Sequence, residues 1–158
     1  MKILVLSVDE VKKFNEYDKE VVKENNFITI RDHKVETPVL NFHKDSNVLS
    51  LMFDDVEESD EQELLERFHY IVFNEDMAKE IHDFVERIDK NKTLYVNCHA
   101  GVSRSGAVGI VLNEYFNRFL EDNKDDYEYF FENNKQIIPN STVSRILKYE
   151  LFGKPFQI

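Results

Sequence analysis

Short apolar runs alternate along the chain with longer segments in which apolar residues recur every three or four positions. Apolar runs at 2–8, 27–32 and 47–55 are rich in β-branched and aromatic residues and predict strands. A fourth run at 93–97 precedes a glycine-containing loop and predicts another strand. The chain therefore has at least four candidate strands, and polar or helical segments separate them.

Helical periodicity is clearest at 75–90, where acidic residues fill the first turn and Lys90 ends the last. At 59–71, Ser59 followed three residues later by Gln62 predicts a capping box at a helix start. Strands interleaved with helices predict an α/β fold whose mainly parallel central sheet is covered by helices on both faces. The other predicted helices are 105–120, 127–135 and 141–152, with 9–20 a short helix or polar loop.

Composition limits the classes of function. With 158 residues, the chain is expected to form a single domain over 1–158 and to be monomeric. The formal charge of -11 argues against nucleic acid and anionic membranes as partners, so an anionic ligand would need a local positive site. One cysteine excludes an internal disulfide, and the first apolar run is too short for a signal or membrane segment. These features predict a cytoplasmic protein.

The cysteine, Cys98, lies where a predicted strand meets a loop that leads into a helix. A lone cysteine is often just a small buried hydrophobe. Here, however, a strand–loop–helix junction offers successive backbone N–H groups and a helix dipole to an anion, and Arg104 adds a planar fork for two phosphate oxygens. The predicted oxyanion-binding residues are His99, Ala100, Gly101, Val102, Ser103 and Arg104.

The same groups would act on the Cys98 sulfur at the base of this loop. Loop N–H groups and a guanidinium favour thiolate over thiol, so the pKa of Cys98 is predicted to fall. Ser103 and Ser105 carry hydroxyls that could hydrogen-bond the sulfur and help it leave, and Ser105, at the helix start, is the preferred one. The sequence therefore predicts an activated nucleophile beneath a bound phosphate.

The segment C-H-A-G-V-S-R-S at 98–105 resembles the signature loop of the cysteine-dependent protein tyrosine phosphatases, in their dual-specificity branch. The segment 137-IIPNSTVSRIL-147 resembles the I-S-P-N segment of that branch, whose Asn supports the loop. The resemblance spans about residues 40–150. It implies Cys98 as nucleophile, Arg104 as phosphate ligand, Ser105 as an aid to thiolate departure and Asn140 as loop support. It also implies no metal or cofactor, and a phosphorylated protein or peptide as substrate.

The family takes a proton for the leaving oxygen from an Asp on a separate loop, and the candidates here are Asp54 and Asp55. Alternation along the strand favours Asp55, because Asp54 would continue the strand. The pair could instead be a turn element in an acidic chain.

One position departs from the family pattern, since Asn97 stands where the family has a His before its cysteine. Asn97 can support the loop by hydrogen bonding but carries no charge. Two alternatives to a protein phosphatase stay open: a phosphate-reading binding module with little catalysis, and a phosphatase for a non-protein phosphate ester.

Overall fold

The computed structural model describes residues 1–40 and 47–153, and its centre is a parallel sheet of four strands in the order β1-β4-β2-β3. The parallel order agrees with the α/β prediction, and each strand overlaps the apolar run that predicted it. The strands are β1 (Ile3–Ser7), β2 (Asn26–Arg31), β3 (Val48–Met52) and β4 (Leu94–Cys98).

Seven α-helices connect and cover these strands in the described residues. Side chains cap several of them: Asn74 accepts from the Met77 N–H at the start of α4, and Asn140 accepts from the Val143 N–H at the start of α7. The helices are α1 (Val8–Tyr17), α2 (Lys19–Glu24), α3 (Gln62–Arg67), α4 (Glu75–Arg87), α5 (Arg104–Glu114), α6 (Lys124–Asn133) and α7 (Ser141–Phe152).

Both faces of the sheet are covered, but by unequal cores. The larger apolar cluster joins the sheet to α4, α5, α6 and α7, and it contains Phe53, Phe84 and Cys98. The smaller cluster, around Val11 and Phe27, joins the other face to α1 and α2. Burial of apolar area on both faces explains why β2, between two partners, is buried along almost its whole length.

The structure departs from the predicted elements in three places. The capping box predicted at Ser59 is wrong: α3 begins at Gln62 without a side-chain cap, because Asp60 accepts from the Glu57 N–H and closes a turn there. The predicted helix over 105–120 ends as a π-helix at Tyr115–Leu120. The segment 9–20 spans two helices that break at Asp18.

The parallel arrangement brings the carboxyl ends of all four strands to one edge of the sheet, where ligands of open α/β sheets commonly bind. At this edge lie Ser7, Asp32, Phe53 and Cys98, each at or just after a strand end. No helix in the described ranges has both the length and the apolar character that a membrane span requires.

Candidate active site

Gly101 lets the loop after β4 lie directly against the backbone of β1. Its φ is +73°, and a Cβ at this position would lie 2.6 Å from the Leu6 carbonyl carbon and 2.7 Å from the Ser7 nitrogen. Glycine meets both demands, because it adopts positive φ freely and has no Cβ. The loop also hydrogen-bonds to the start of α1, since the Val8 N–H donates to the His99 carbonyl at 3.1 Å.

The loop carbonyls are held by donors from outside the loop. The Ile138 N–H donates to the Val102 carbonyl at 3.0 Å, and the Asn140 N–H donates to the Ser103 carbonyl at 3.1 Å. The Gln136 side chain donates to the Gly101 carbonyl at 3.3 Å. The carbonyl and the N–H of one peptide point in opposite directions. Carbonyls that bond to residues outside the loop therefore leave the N–H groups of the same peptides pointing into the loop.

The backbone N–H groups of Gly101, Val102 and Ser105 point at the Cys98 sulfur, which is almost completely buried. The Ser105 hydroxyl lies 3.1 Å from Sγ. Burial raises the pKa of the thiol, but hydrogen bonds from the Ser105 hydroxyl and from the N–H groups of Ser105, Val102 and Gly101 outweigh it and lower that pKa overall. The arrangement thus favours a thiolate at the end of β4.

Arg104, the first residue of α5, is buried, and its guanidinium is hydrogen-bonded through Nη1 but not through Nε. Its Nη1 donates to Asp32 Oδ1 at 2.5 Å and to the Phe53 carbonyl at 2.9 Å. Its Nε is buried and finds no hydrogen-bond partner among the described residues. A buried unpaired donor is costly, and a bound anion would satisfy it.

The two neighbouring carboxylates after β3 have different surroundings. Asp54 is buried and accepts hydrogen bonds from the Ile71 N–H, the His33 N–H and the His33 ring. Burial alone would raise the pKa of Asp54, but these hydrogen bonds together lower it. Asp55 is exposed, and its Oδ1 accepts from the Ser103 hydroxyl at 2.8 Å and from Asn140 Nδ2 at 3.0 Å. Asp54 therefore fixes the segment after β3 to Ile71 and His33, while Asp55 borders the loop that follows Cys98.

Asn140 joins three parts of the site. Its N–H holds the Ser103 carbonyl, its Oδ1 caps α7, and its Nδ2 donates to Asp55 and to the Val56 carbonyl at 3.1 Å. The structure thus places Asn140, the predicted loop-support residue, between the loop that follows Cys98 and the segment that carries Asp55. Asn97, the other predicted support, is buried, but its Oδ1 has no hydrogen-bond partner in the part of the chain described.

Two residues at the site escaped the sequence-based prediction. Asp32 follows β2 and pairs with Arg104 across 72 positions. Its place after an apolar run was a usable signal, because the ends of parallel strands share one edge. Gln136, which also donates to the Val5 carbonyl, carried no such signal. No cluster of three or more His, Cys, Asp or Glu side chains within 1–40 and 47–153 could hold a metal ion.

Comparison with known proteins gives similarity in structure only. No family model matches the sequence, and no curated protein sequence matches it significantly. The human tyrosine phosphatase-like serine/threonine/tyrosine-interacting protein has a similar structure, with a TM-score of 0.50 at 23% identity over 86% of this chain and 84% of that one. The Cydia pomonella PTP-2 phosphatase reaches a TM-score of 0.56 at 17% identity over 94% and 84%.

A third similar structure is PTPMT1 in complex with PI(5)P, with a TM-score of 0.53 at 12% identity over 96% of this chain and 91% of that one. At such identities the matches establish the fold. The chain therefore has the α/β fold of the protein tyrosine and dual-specificity phosphatases.

Proposed function

We propose that the protein hydrolyses phosphate monoesters of proteins or peptides, phosphotyrosine first and phosphoserine or phosphothreonine in addition, through a phosphocysteine intermediate. The observation that carries this proposal is that Cys98 and Arg104, at the two ends of one loop, each have a property that suits a bound phosphate. The pKa of the Cys98 thiol is lowered, and Arg104 holds a buried Nε–H without a partner among the described residues. A phosphate dianion would supply an electrophile to the first group and an acceptor to the second.

In the proposed first step, the Cys98 thiolate attacks phosphorus, the bond from phosphorus to the ester oxygen breaks, and Asp55 gives its proton to that oxygen. The loop N–H groups and Arg104 bind the three equatorial oxygens, whose charge they stabilise. Asp54 is less suited to be the acid, because its lowered pKa leaves it ionised and its oxygens are occupied.

In the proposed second step, the Asp55 carboxylate takes a proton from water as that water attacks phosphorus. The bond from phosphorus to sulfur breaks, phosphate leaves, and the sulfur departs as a thiolate. The Ser105 hydroxyl, 3.1 Å from Sγ, stabilises that departing charge by hydrogen bonding. The acid and the nucleophile then return to their starting protonation states.

A metal-free assay with an aryl phosphate tests the proposal. We expect turnover by the wild type, loss of turnover in Cys98→Ser, and a severe loss in Arg104→Lys, because an ammonium cannot replace the bidentate fork. Acid quenching during turnover should trap phosphate on Cys98. Wild-type-like turnover by Cys98→Ser would refute the covalent route.

The substrate class is tested by releasing phosphate from a phosphotyrosine peptide, a phosphoinositide and an RNA 5′ triphosphate. We expect the peptide to be preferred. Preference for a phosphoinositide would instead favour a non-protein phosphate ester, in line with the PI(5)P bound by the PTPMT1 structure. Binding of the phosphopeptide without any turnover would favour a phosphate-reading module.

A further inference from the structure

A cavity of about 480 Å³ lies on the face of the sheet that α1 covers. Its walls come from α1, from strands β2, β3 and β4, and from the loop that follows β2. Asp32 and His99 stand at the side nearest the nucleophile loop. Cys98 belongs to the core on the other face, and neither Cys98 nor Arg104 lines this cavity.

The floor of the cavity is a row of three polar side chains on adjacent strands. In the strand register, Thr29 of β2 lies opposite Ser50 of β3 and opposite Asn97 of β4. All three side chains line the cavity. Neighbouring positions toward the strand starts on this face are apolar, namely Phe27, Val48 and Tyr95, and these pack in the smaller core. The polar row thus interrupts an apolar face at the level of the cavity.

Two members of the row are buried without hydrogen-bond partners. Thr29 is 3% exposed and Asn97 is 1% exposed. Thr29 Oγ1 and Asn97 Oδ1 have no partner among the described residues. A buried polar atom without a partner costs about 1–3 kcal/mol, and native proteins rarely keep one without a reason. Two such atoms in one cavity therefore point to a ligand that supplies the missing hydrogen bonds.

The hydrogen-bonding capacity of the row defines the complementary ligand. Asn97 Oδ1 only accepts, so it requires a donor. Ser50 Oγ accepts from Arg31 Nη1 at 3.0 Å, which leaves the serine proton free to donate. Thr29, between them, can do either. A ligand group that donates to Asn97 and accepts from Thr29, over the roughly 5 Å that separate the neighbouring strands β4 and β2, fits this row.

The charge and the shape of the cavity wall further restrict the class of ligand that it could bind. The charged residues of the lining are two acids, Asp9 and Asp32, and two bases, Lys12 and Arg31, so the wall has no net charge. Val8, Val35 and Val39 supply apolar wall around the polar floor. This combination suits an uncharged molecule better than a cation or an anion, because a neutral polar group loses less hydration on entering.

We propose that this cavity binds an uncharged small molecule or side chain that carries a primary carboxamide on an apolar body. The amide nitrogen donates to Asn97 Oδ1, the amide oxygen accepts from the Thr29 hydroxyl, which in turn accepts from Ser50, and the apolar body packs against Val8 and Val39. The site adjoins the phosphate site through His99 and Asp32 but includes neither Cys98 nor Arg104, and its occupancy does not depend on the proposed phosphatase activity.

Three probes of nearly equal shape test the proposal: benzamide, which donates and accepts; benzamidine, a cation that only donates; and benzoate, an anion that only accepts. Titrations followed by amide chemical shifts would locate each probe. We expect benzamide to shift Thr29, Ser50 and Asn97 and to bind more tightly than either charged probe. Shifts confined to the 99–105 loop would mark binding at the phosphate site instead.

Substitutions then test the row itself. Thr29→Val removes the hydroxyl and keeps the shape, and we expect benzamide affinity to fall about ten-fold, with Ser50→Ala as a second, independent variant. Thr93→Val, at the opposite edge of the sheet, is the matched control and should bind as the wild type does. The proposal is overturned if benzamide fails to shift the row, if a charged probe binds there more tightly, or if Thr29→Val and Ser50→Ala both bind like the control.

Discussion

Substitution of the two neighbouring carboxylates should have different consequences, because Asp54 is buried among hydrogen-bond donors, whereas Asp55 is exposed beside the loop that follows Cys98. Asp55→Asn keeps an Oδ1 that can accept from Ser103 and Asn140, so the loop geometry should persist. The variant loses only the transferable proton. We expect kcat with a phosphotyrosine peptide to fall about 10²-fold or more, the range of general acid catalysis, which corresponds to roughly 2.7 kcal/mol.

Asp54→Asn should instead lower stability. Its carboxylate receives hydrogen bonds from the Ile71 N–H and from His33. In the asparagine variant an NH2 group would replace one of the two accepting oxygens and would face a hydrogen-bond donor. Hydrogen bonds to a charged group contribute about 1.5–3 kcal/mol, so we expect Tm to fall by roughly 3–10 °C. Because hydrogen bonding holds the pKa of Asp54 below its ordinary value, this contribution is complete at pH above that ordinary value and is lost as the pH falls through the lower folded pKa.

The assay compares substrates with different leaving groups. An aryl phosphate whose leaving group is a weak base needs little protonation, so Asp55→Asn should hydrolyse it with a much smaller loss in kcat. Asp54→Asn should affect all substrates to the same extent and should unfold at lower temperature. If the leaving-group dependence appears in Asp54→Asn, or in neither variant, the assignment of Asp55 as the acid is refuted.

Three further substitutions probe the nucleophile loop and its anchor. Ser105→Ala should raise the pKa of Cys98, because it removes the hydroxyl that lies 3.1 Å from Sγ; the pH dependence of iodoacetamide alkylation measures this. Ser103→Ala, which removes a hydroxyl that donates to Asp55, should leave that pKa unchanged. Gly101→Ala should lower Tm far more than Gly153→Ala. Both glycines have a φ of +73°, but only at Gly101 would the new Cβ lie 2.6 Å from the backbone of Leu6. Equal losses in Tm would show that this close approach is unimportant. Asp32→Ala should lower kcat/KM about 10- to 100-fold, because it releases the Arg104 side chain, and Asp32→Asn should cause a smaller loss. Unchanged kinetics in Asp32→Ala would show that the Asp32–Arg104 pair has no part in the mechanism.

The parts of the site that lie close together in sequence could be predicted from it. The strand end, Gly101, Arg104 and Ser105 fall within eight residues, so local propensity alone orders them as strand, loop and helix. The structure places them in that order, and the Ser105 hydroxyl lies within hydrogen-bonding distance of the sulfur. Local signals also fail where a competing turn is equally local, as at Ser59, where Asp60 closes the chain before α3 begins.

Contacts between distant residues could not be predicted, because they depend on strand register and loop packing. Asp32 meets Arg104 only because β2 lies beside β4, and Asn140 reaches Asp55 only because the segment before α7 crosses the nucleophile loop. The distinction between Asp54 and Asp55 has the same origin. Strand β3 ends at Met52, so it is the contacts of Asp54 with Ile71 and His33, and not strand alternation, that separate the two carboxylates.

Asn97 and Cys98 are neighbours in sequence, yet consecutive strand residues point to opposite faces of a sheet. Cys98 lies with the core of α4 to α7, whereas Asn97 lines the cavity beneath α1 together with Thr29. The hydrogen bonds that lower the pKa of Cys98 come from Ser105, Val102 and Gly101, and none of these involves the Asn97 side chain. The asparagine that departs from the phosphatase pattern can therefore serve the cavity while the loop that stabilises the thiolate stays intact.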